Sequence, residues 1–206
     1  VIGVEGREGD RTRVTLPALL ARLSRGEDTE LTAIQAHQQH AWHAFTVQLA
    51  AIALARANET LEAAKDEPAW RALLVAAAEG DASGPEAFAL VVNDLAKPAF
   101  MQAPVPEGSL APLKNEHERP SSELEVLITS KNHDVKINRL AQPSVEHWVF
   151  ALVTLQTMQG FLGAGNYGIA RMNGGFASRP CVSFAPETRA SARFVRDVGL
   201  LLEARE

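Results

Sequence analysis

Val1-Ile2-Gly3-Val4-Glu5-Gly6-Arg7-Glu8-Gly9-Asp10-Arg11-Thr12-Arg13-Val14-Thr15-Leu16 opens the chain and reads as a β-hairpin. Two short β-branched runs, residues 1–4 and 11–16, flank a polar segment with two glycines. Strands joined this directly are antiparallel, because a parallel pair needs a long crossover between its members. Helical spacing follows over residues 16–23, with Pro17 tolerated in the first turn and Gly26 placed as a stop.

Working outward, a long amphipathic helix is expected over residues 30–57, where Ile34, Trp42, Phe45, Leu49 and Ile52 recur at three- and four-residue steps. Asp66 or Glu67 opens a second, in which Trp70, Leu73, Leu74 and Ala77 share a face and Gly80 and Gly84 mark the end. Residues 88–92 read as a short buried strand. Residues 97–120 carry five prolines and no period, so they read as a long loop, a length that is usually functional or disordered. Residues 124–129 read as another strand. Ser144 caps a helix over residues 145–159 with almost no polar face, which places it in the core. Residues 160–175 hold six of the fourteen glycines. Residues 181–184 are a further strand candidate, and the last helix gathers Phe194, Val198, Leu201 and Leu202. No internal repeat is visible. The expected class is α+β, a mixed domain of short antiparallel strands with several helices, one long and amphipathic and one buried.

The 206 residues are 46% hydrophobic and carry a net charge of −5. That length is enough for a core without covalent staples. One cysteine, Cys181, excludes an internal disulfide and any multi-cysteine zinc site. No run of 18 apolar residues exists, and the first residues lack the layout of a signal peptide. A soluble, cytoplasmic, globular chain without membrane partners is the expectation. Charge is unevenly spread: residues 1–130 hold 11 Lys/Arg against 19 Asp/Glu, and residues 131–206 hold 9 against 6. No acidic residue falls between His147 and Pro186. Such asymmetry is compatible with a surface that faces a polyanion, or with simple burial of an apolar stretch.

His37, His40 and His43 invite a metal reading. Their i, i+3, i+6 spacing spreads the rings over about 120° of helix surface, and no acid lies between Glu30 and Glu59. Packing and hydrogen bonding are the expected role, with a small metal-dependent enzyme as the alternative. Cys181 follows Pro180 in a strand-like run and reads as a small buried hydrophobe. With no nucleophile elbow, P-loop or Cys-x-x-Cys, the sequence gives no support to an enzyme.

Two segments remain. Lys131-Asn132-His133-Asp134-Val135-Lys136 is either a solvated turn or a loop that meets phosphates and base edges. Gly160-Phe161-Leu162-Gly163-Ala164-Gly165-Asn166-Tyr167-Gly168 formally contains a dinucleotide fingerprint. A helix precedes it where a strand is required, so that reading fails. It is either a tight turn or a backbone that approaches a ligand closely, and Arg171-Met172-Asn173-Gly174-Gly175-Phe176 follows it.

The order of four segments then resembles the CasA large subunit of type I-E CRISPR Cascade complexes. They are Ala36-His37-Gln38-Gln39-His40-Ala41-Trp42-His43-Ala44-Phe45, Lys97-Pro98-Ala99-Phe100-Met101-Gln102, Ser130-Lys131-Asn132-His133-Asp134-Val135-Lys136 and the stretch from Gly160 to Phe176. The resemblance covers residues 1–206 as the amino-terminal α+β domain of that family, without its carboxy-terminal helical bundle. It implies a non-catalytic subunit, with no cofactor, of an RNA-guided surveillance complex. Such a subunit reads the protospacer-adjacent motif of double-stranded DNA through the minor groove, supports R-loop initiation and recruits a nuclease-helicase. Its partners would be the crRNA-containing Cascade subunits, target DNA and that nuclease-helicase.

By position, the resemblance assigns residues 130–138 to an anchoring and motif-reading loop, with Lys131, Asn132, His133 and Lys136 as contacts. It assigns Gly163-Ala164-Gly165-Asn166 to a glycine loop entering the minor groove, with Asn173-Gly174-Gly175 as the competing placement. A minor groove about 6 Å wide admits such a backbone more readily than bulky side chains. Asn166 or Asn173 would reach base acceptors, and Lys131, Lys136 and Arg171 would meet phosphates. Guide pairing would supply the remaining specificity. The alternatives are the metal-dependent enzyme built on His37, His40 and His43, and a purely structural subunit of a complex.

Overall fold

The hairpin forms as its sequence predicts. Strands β1 (Ile2–Glu5) and β2 (Arg11–Val14) pair antiparallel, with Ile2 opposite Val14 and Glu5 opposite Arg11. Gly9 takes φ +80 in the connecting loop, a conformation that favours glycine. Ile2, Gly3 and Val4 of the central strand are buried, whereas β2 is exposed at Arg11, Thr12 and Arg13 and buried only at Val14, as befits an edge strand. A third strand, β3 (Glu30–Leu31), pairs with the other edge of β1 and gives the order β2-β1-β3.

The computed structural model describes residues 1–6, 9–61, 65–78, 84–102, 104–105, 143–157 and 187–205. They belong to two compact units, Val1–Gly84 with Val182–Glu206, and Pro85–Cys181. The described residues form a mixed α+β architecture of five α-helices and one small antiparallel sheet.

In the first unit, Thr15 caps helix α1 (Leu16–Ser24) by accepting from the Ala18 N–H at 3.2 Å, with Pro17 in the first turn. The helix ends at Gly26, φ +77. There the Gly26 and Glu27 N–H groups return to the Leu23 and Arg22 carbonyls, a Schellman closure. Helix α2 (Gln39–Ala57) ends at Asn58 in the left-handed region. Helix α3 (Glu67–Ala77) starts on an Asp66 cap, whose carboxylate accepts from the Ala69 N–H at 2.9 Å. Each of α1 and α2 packs on both α3 and the last helix, Ala190–Glu203, named α5 below. Trp70, Leu19, Leu20, Leu54, Phe194 and Val198 fill the core with almost no exposure. The Trp70 indole N–H reaches the Ser24 hydroxyl at 3.2 Å, so the buried ring keeps a partner for its one polar atom.

In the second unit, helix α4 (Val145–Thr157) is buried at every position from Val153 to Thr157. Thr154 and Thr157 turn their hydroxyls back to the Phe150 and Val153 carbonyls, so these two buried hydroxyls are satisfied within the helix. The expected core placement of this helix holds for its second half, whereas Val145 and Trp148 are exposed. At its start the Ser144 N–H donates to His147 Nδ1 at 2.9 Å. Lys97-Pro98-Ala99-Phe100-Met101-Gln102 folds into a tight turn, closed by an Ala99–Gln102 bridge with Met101 at φ 58. The buried Gln156 side chain of α4 donates to the Met101 carbonyl at 2.6 Å, and the Phe88 and Phe100 rings meet at 5.3 Å.

Four expectations are corrected. The long helix does not begin at residue 30: Glu30 and Leu31 complete the sheet, and a 3-10 turn, Ala36–Gln38, precedes α2. Strand pairing satisfies that backbone, and the Gln35 N–H bonds the Gln38 side chain at 3.0 Å to set the helix entry. Its buried face is also different. Ala41, Trp42, Phe45, Thr46, Ala50, Ala53 and Leu54 are inside, while Ile52 is 47% exposed, because α2 is flanked by two helices and its alanines make the close contacts. Residues 88–92 are no strand: Gly84–Phe88 is a 3-10 helix. The Ala89 and Leu90 carbonyls accept from the Phe100 backbone and the Gln102 side chain, which leaves no ladder to form. On α5, burial stops after Val198, and Leu201, expected inside, is 44% exposed. The strand candidates at 124–129 and 181–184 lie outside the described residues.

Candidate functional site

Lys131, Asn132, His133 and Lys136 of the polar loop lie outside the described residues, as do Gly163, Ala164, Gly165, Asn166, Arg171, Asn173 and Gly174 of the glycine-rich segment. The structure brings together other titratable groups instead, on the seam between α2 and α5 (Ala190–Glu203).

The histidine cluster is distributed rather than convergent. His37 sits in the 3-10 turn, and His40 and His43 lie on α2, His40 exposed and His43 half-buried. His43 Nε2 lies 2.7 Å from Asp197 Oδ2, across from α2 to α5. The other carboxylate oxygen, Oδ1, accepts from Arg196 Nε at 2.7 Å. Burial pushes the His43 pKa down. The bond to Asp197 pulls it back in part, and the Arg193 and His40 charges push it down further. For Asp197, burial acts to raise the pKa, but the bonds from His43 and Arg196 outweigh it and hold the carboxyl below its ordinary range. Near neutral pH the pair is therefore a neutral imidazole donating Nε2–H to an ionised carboxylate.

Among the described residues, no group of three or more His, Cys, Asp and Glu side chains is placed to hold a metal ion. His43 spends its Nε2 on a carboxylate that α2 itself does not carry. Sequence reasoning missed Asp197 because the partner stands 154 positions away, and only the absence of acids along α2 was visible. A His–Asp pair orients an imidazole in many catalytic sites, but Thr46, the hydroxyl one turn along α2, donates back to the Trp42 and His43 carbonyls. The pair has no nucleophile in attendance among the described residues.

A second feature is a cleft of about 630 Å³ in the first unit, where Glu5, Gly6, Asp28, Thr29 and Glu30 face the start of α5 at Arg189. A smaller groove of about 450 Å³ shares Gly6, Asp28, Thr29 and Arg189. Most of its charges are engaged. Glu5 pairs with Arg11 at 2.8 Å, Arg189 with Glu187 at 3.2 Å, and Asp28 accepts from the Ser191 hydroxyl at 2.9 Å. The Arg189 bond holds the Glu187 carboxyl below its ordinary range. Such a lining offers hydrogen bonds to a polar molecule but little unpaired charge. No helix among the described residues is long and apolar enough to cross a membrane. Compared with protein-family models, curated proteins and solved structures, the chain matches none.

Proposed function

We propose that this chain is the amino-terminal domain of a CasA-type large subunit of a type I-E Cascade complex, a non-catalytic DNA-reading subunit. The observation that carries the reading is the order of four sequence segments, at 36–45, 97–102, 130–136 and 160–176. The first two are built into the scaffold. Residues 36–45 make the entry to α2, and residues 97–102 form the turn that takes a hydrogen bond from α4. The last two contain the lysines, asparagines and glycines suited to phosphates and a minor-groove floor. The α+β class and the basic balance after residue 130 are compatible with this role.

In this reading Gly163-Ala164-Gly165-Asn166, or Asn173-Gly174-Gly175, meets the motif. Lys131, Asn132, His133 and Lys136 anchor the subunit near the guide RNA, and the assembly works in the cytoplasm. An acidic chain of this kind binds DNA weakly alone and depends on its partners for most of the positive field. The test is reconstitution with the crRNA-containing subunits, followed by binding of a motif-bearing duplex. Gly163→Val with Gly165→Val is expected to weaken duplex binding and spare assembly. Failure of the wild-type chain to join the complex overturns the reading. Assembly with unchanged duplex affinity in the variant overturns the Gly163–Asn166 placement, and absence of crosslinking between the assembled chain and the motif-bearing duplex leaves a purely structural subunit.

A further inference from the structure

Arg193 lies one helical turn before Asp197 on α5, and its guanidinium Nε is buried without an acceptor among the described residues. A buried donor left unpaired is costly, and native structures meet such groups with an acceptor, often water or an ion. The nearby carboxylate is already committed, since Asp197 takes His43 on one oxygen and Arg196 on the other. Arg193 instead stands close enough to His43 to act on it as a positive charge, and His40 does the same from one turn earlier on α2. Among the described residues the cluster therefore holds two guanidinium cations, Arg193 and Arg196, against one carboxylate, with the His43 imidazole bonded to that carboxylate.

We propose that Arg193, beside His43, binds a phosphate group at the α2–α5 seam. A guanidinium fork matches two phosphate oxygens in parallel. A tetrahedral anion has further oxygens that diverge toward donors on a second helix, which a planar carboxylate lacks. His43 supplies such a donor once protonated: Asp197 keeps Nε2–H, and Nδ1–H becomes available. From α5, His43 faces Asp197 and Arg193, with Arg196 held on the far oxygen of Asp197, and along α2 it faces His40; the 3-10 turn carries His37. On α3, Glu67 and Arg71 pair with each other at 2.9 Å. Phosphate binding and proton uptake by His43 then reinforce one another, as linked equilibria must. The phosphate is either free or a phosphodiester of a nucleic-acid backbone, and the site requires no Cascade partner.

The test uses the full chain with isotope-labelled histidines, following the ring signals of His40 and His43. Inorganic phosphate is added in one series and a short DNA duplex in another, each against sodium chloride at equal ionic strength. A saturable shift of the His43 signal, with its titration moved to higher pH, is expected. Response to the duplex alone assigns a phosphodiester, and response to phosphate alone assigns a free phosphate. Arg193→Gln should weaken binding by about tenfold or more, and Arg193→Lys, which keeps the charge but loses the fork, should weaken it less. Neither probe moving His43, chloride moving it equally, or folded Arg193→Gln binding as tightly as wild type overturns the proposal. The wild-type titration decides the matter even where a variant does not fold.

Discussion

Between α1 and α3 the contact is made by Trp70, by its indole bond to Ser24, and by the Thr15 hydroxyl donating to Glu67 at 2.7 Å. Between α2 and α5 it is made by His43, Asp197 and Arg196, with Arg193 alongside. The two seams belong to one unit, but they answer to different variables. The first is governed by apolar area and a capping hydroxyl, the second by protonation and by anions. One group of helices can thus be rigid at one joint and chemically responsive at another.

The sharpest way to break the comparison is at Trp70. Trp70→Ala should cost about 3–5 kcal/mol in urea unfolding, the largest effect of any single change here. A loss under about 1 kcal/mol would mean that the α1–α3 seam does not rest on that ring. Next in size, Asp197→Ala should cost about 1–3 kcal/mol, because the half-buried His43 N–H and the Arg196 guanidinium lose their acceptor.

The pH response separates the seams directly. The His43 pKa in the folded chain lies below its ordinary value of 6.5, so the unfolded chain takes up the proton first. Stability from this site is complete above 6.5 and falls as the pH drops through the lower folded value. Asp197 and Glu67 also titrate lower when folded; their contributions are present above 3.8 and 4.5 and are lost as the pH falls through their folded values. Unfolding midpoints should therefore decline first in the range just below 6.5, and His43→Gln should flatten that decline while leaving the more acidic one. An unchanged profile in that variant would remove His43 from the pH response.

Smaller effects sharpen the first seam. Thr15→Ala should cost about 1 kcal/mol through the lost cap. It should also let the exposed Glu67 titrate closer to 4.5, since the Thr15 bond is the main cause of its lowering. Gly26→Ala should cost about 1–2 kcal/mol from the left-handed backbone alone, because nothing lies within 4 Å of the added methyl.

Local features were legible in the sequence. The hairpin and the Asp66 and Gly26 boundaries all depend on backbone chemistry within a few residues, and so did the existence of each described α-helix. Residues 30–35 and 88–92 were misread because periodicity cannot show that a backbone has another partner. Glu30–Leu31 joins the edge of β1, and the Ala89 and Leu90 carbonyls are taken by the turn at 97–102. The apolar face of α2 was misplaced for a related reason. Ile52 is a stronger hydrophobe than Ala50 or Ala53, but helices approach most closely where side chains are small.

The predicted nucleic-acid residues rest on sequence order alone, and their positions fall outside the described residues. The seam chemistry stands at the other extreme. His43 was conspicuous in the sequence and was assigned to packing and hydrogen bonding, but its partner was not. What the sequence by itself determined is the α+β class, the capped helices, the charge division at residue 130 and the resemblance of four ordered segments. What only tertiary structure decided is the company each side chain keeps: Asp197 against His43, Glu67 against Thr15, Gln156 against Met101. Caps and turns are set by chemistry a few bonds away, whereas these pairs depend on where whole helices come to rest.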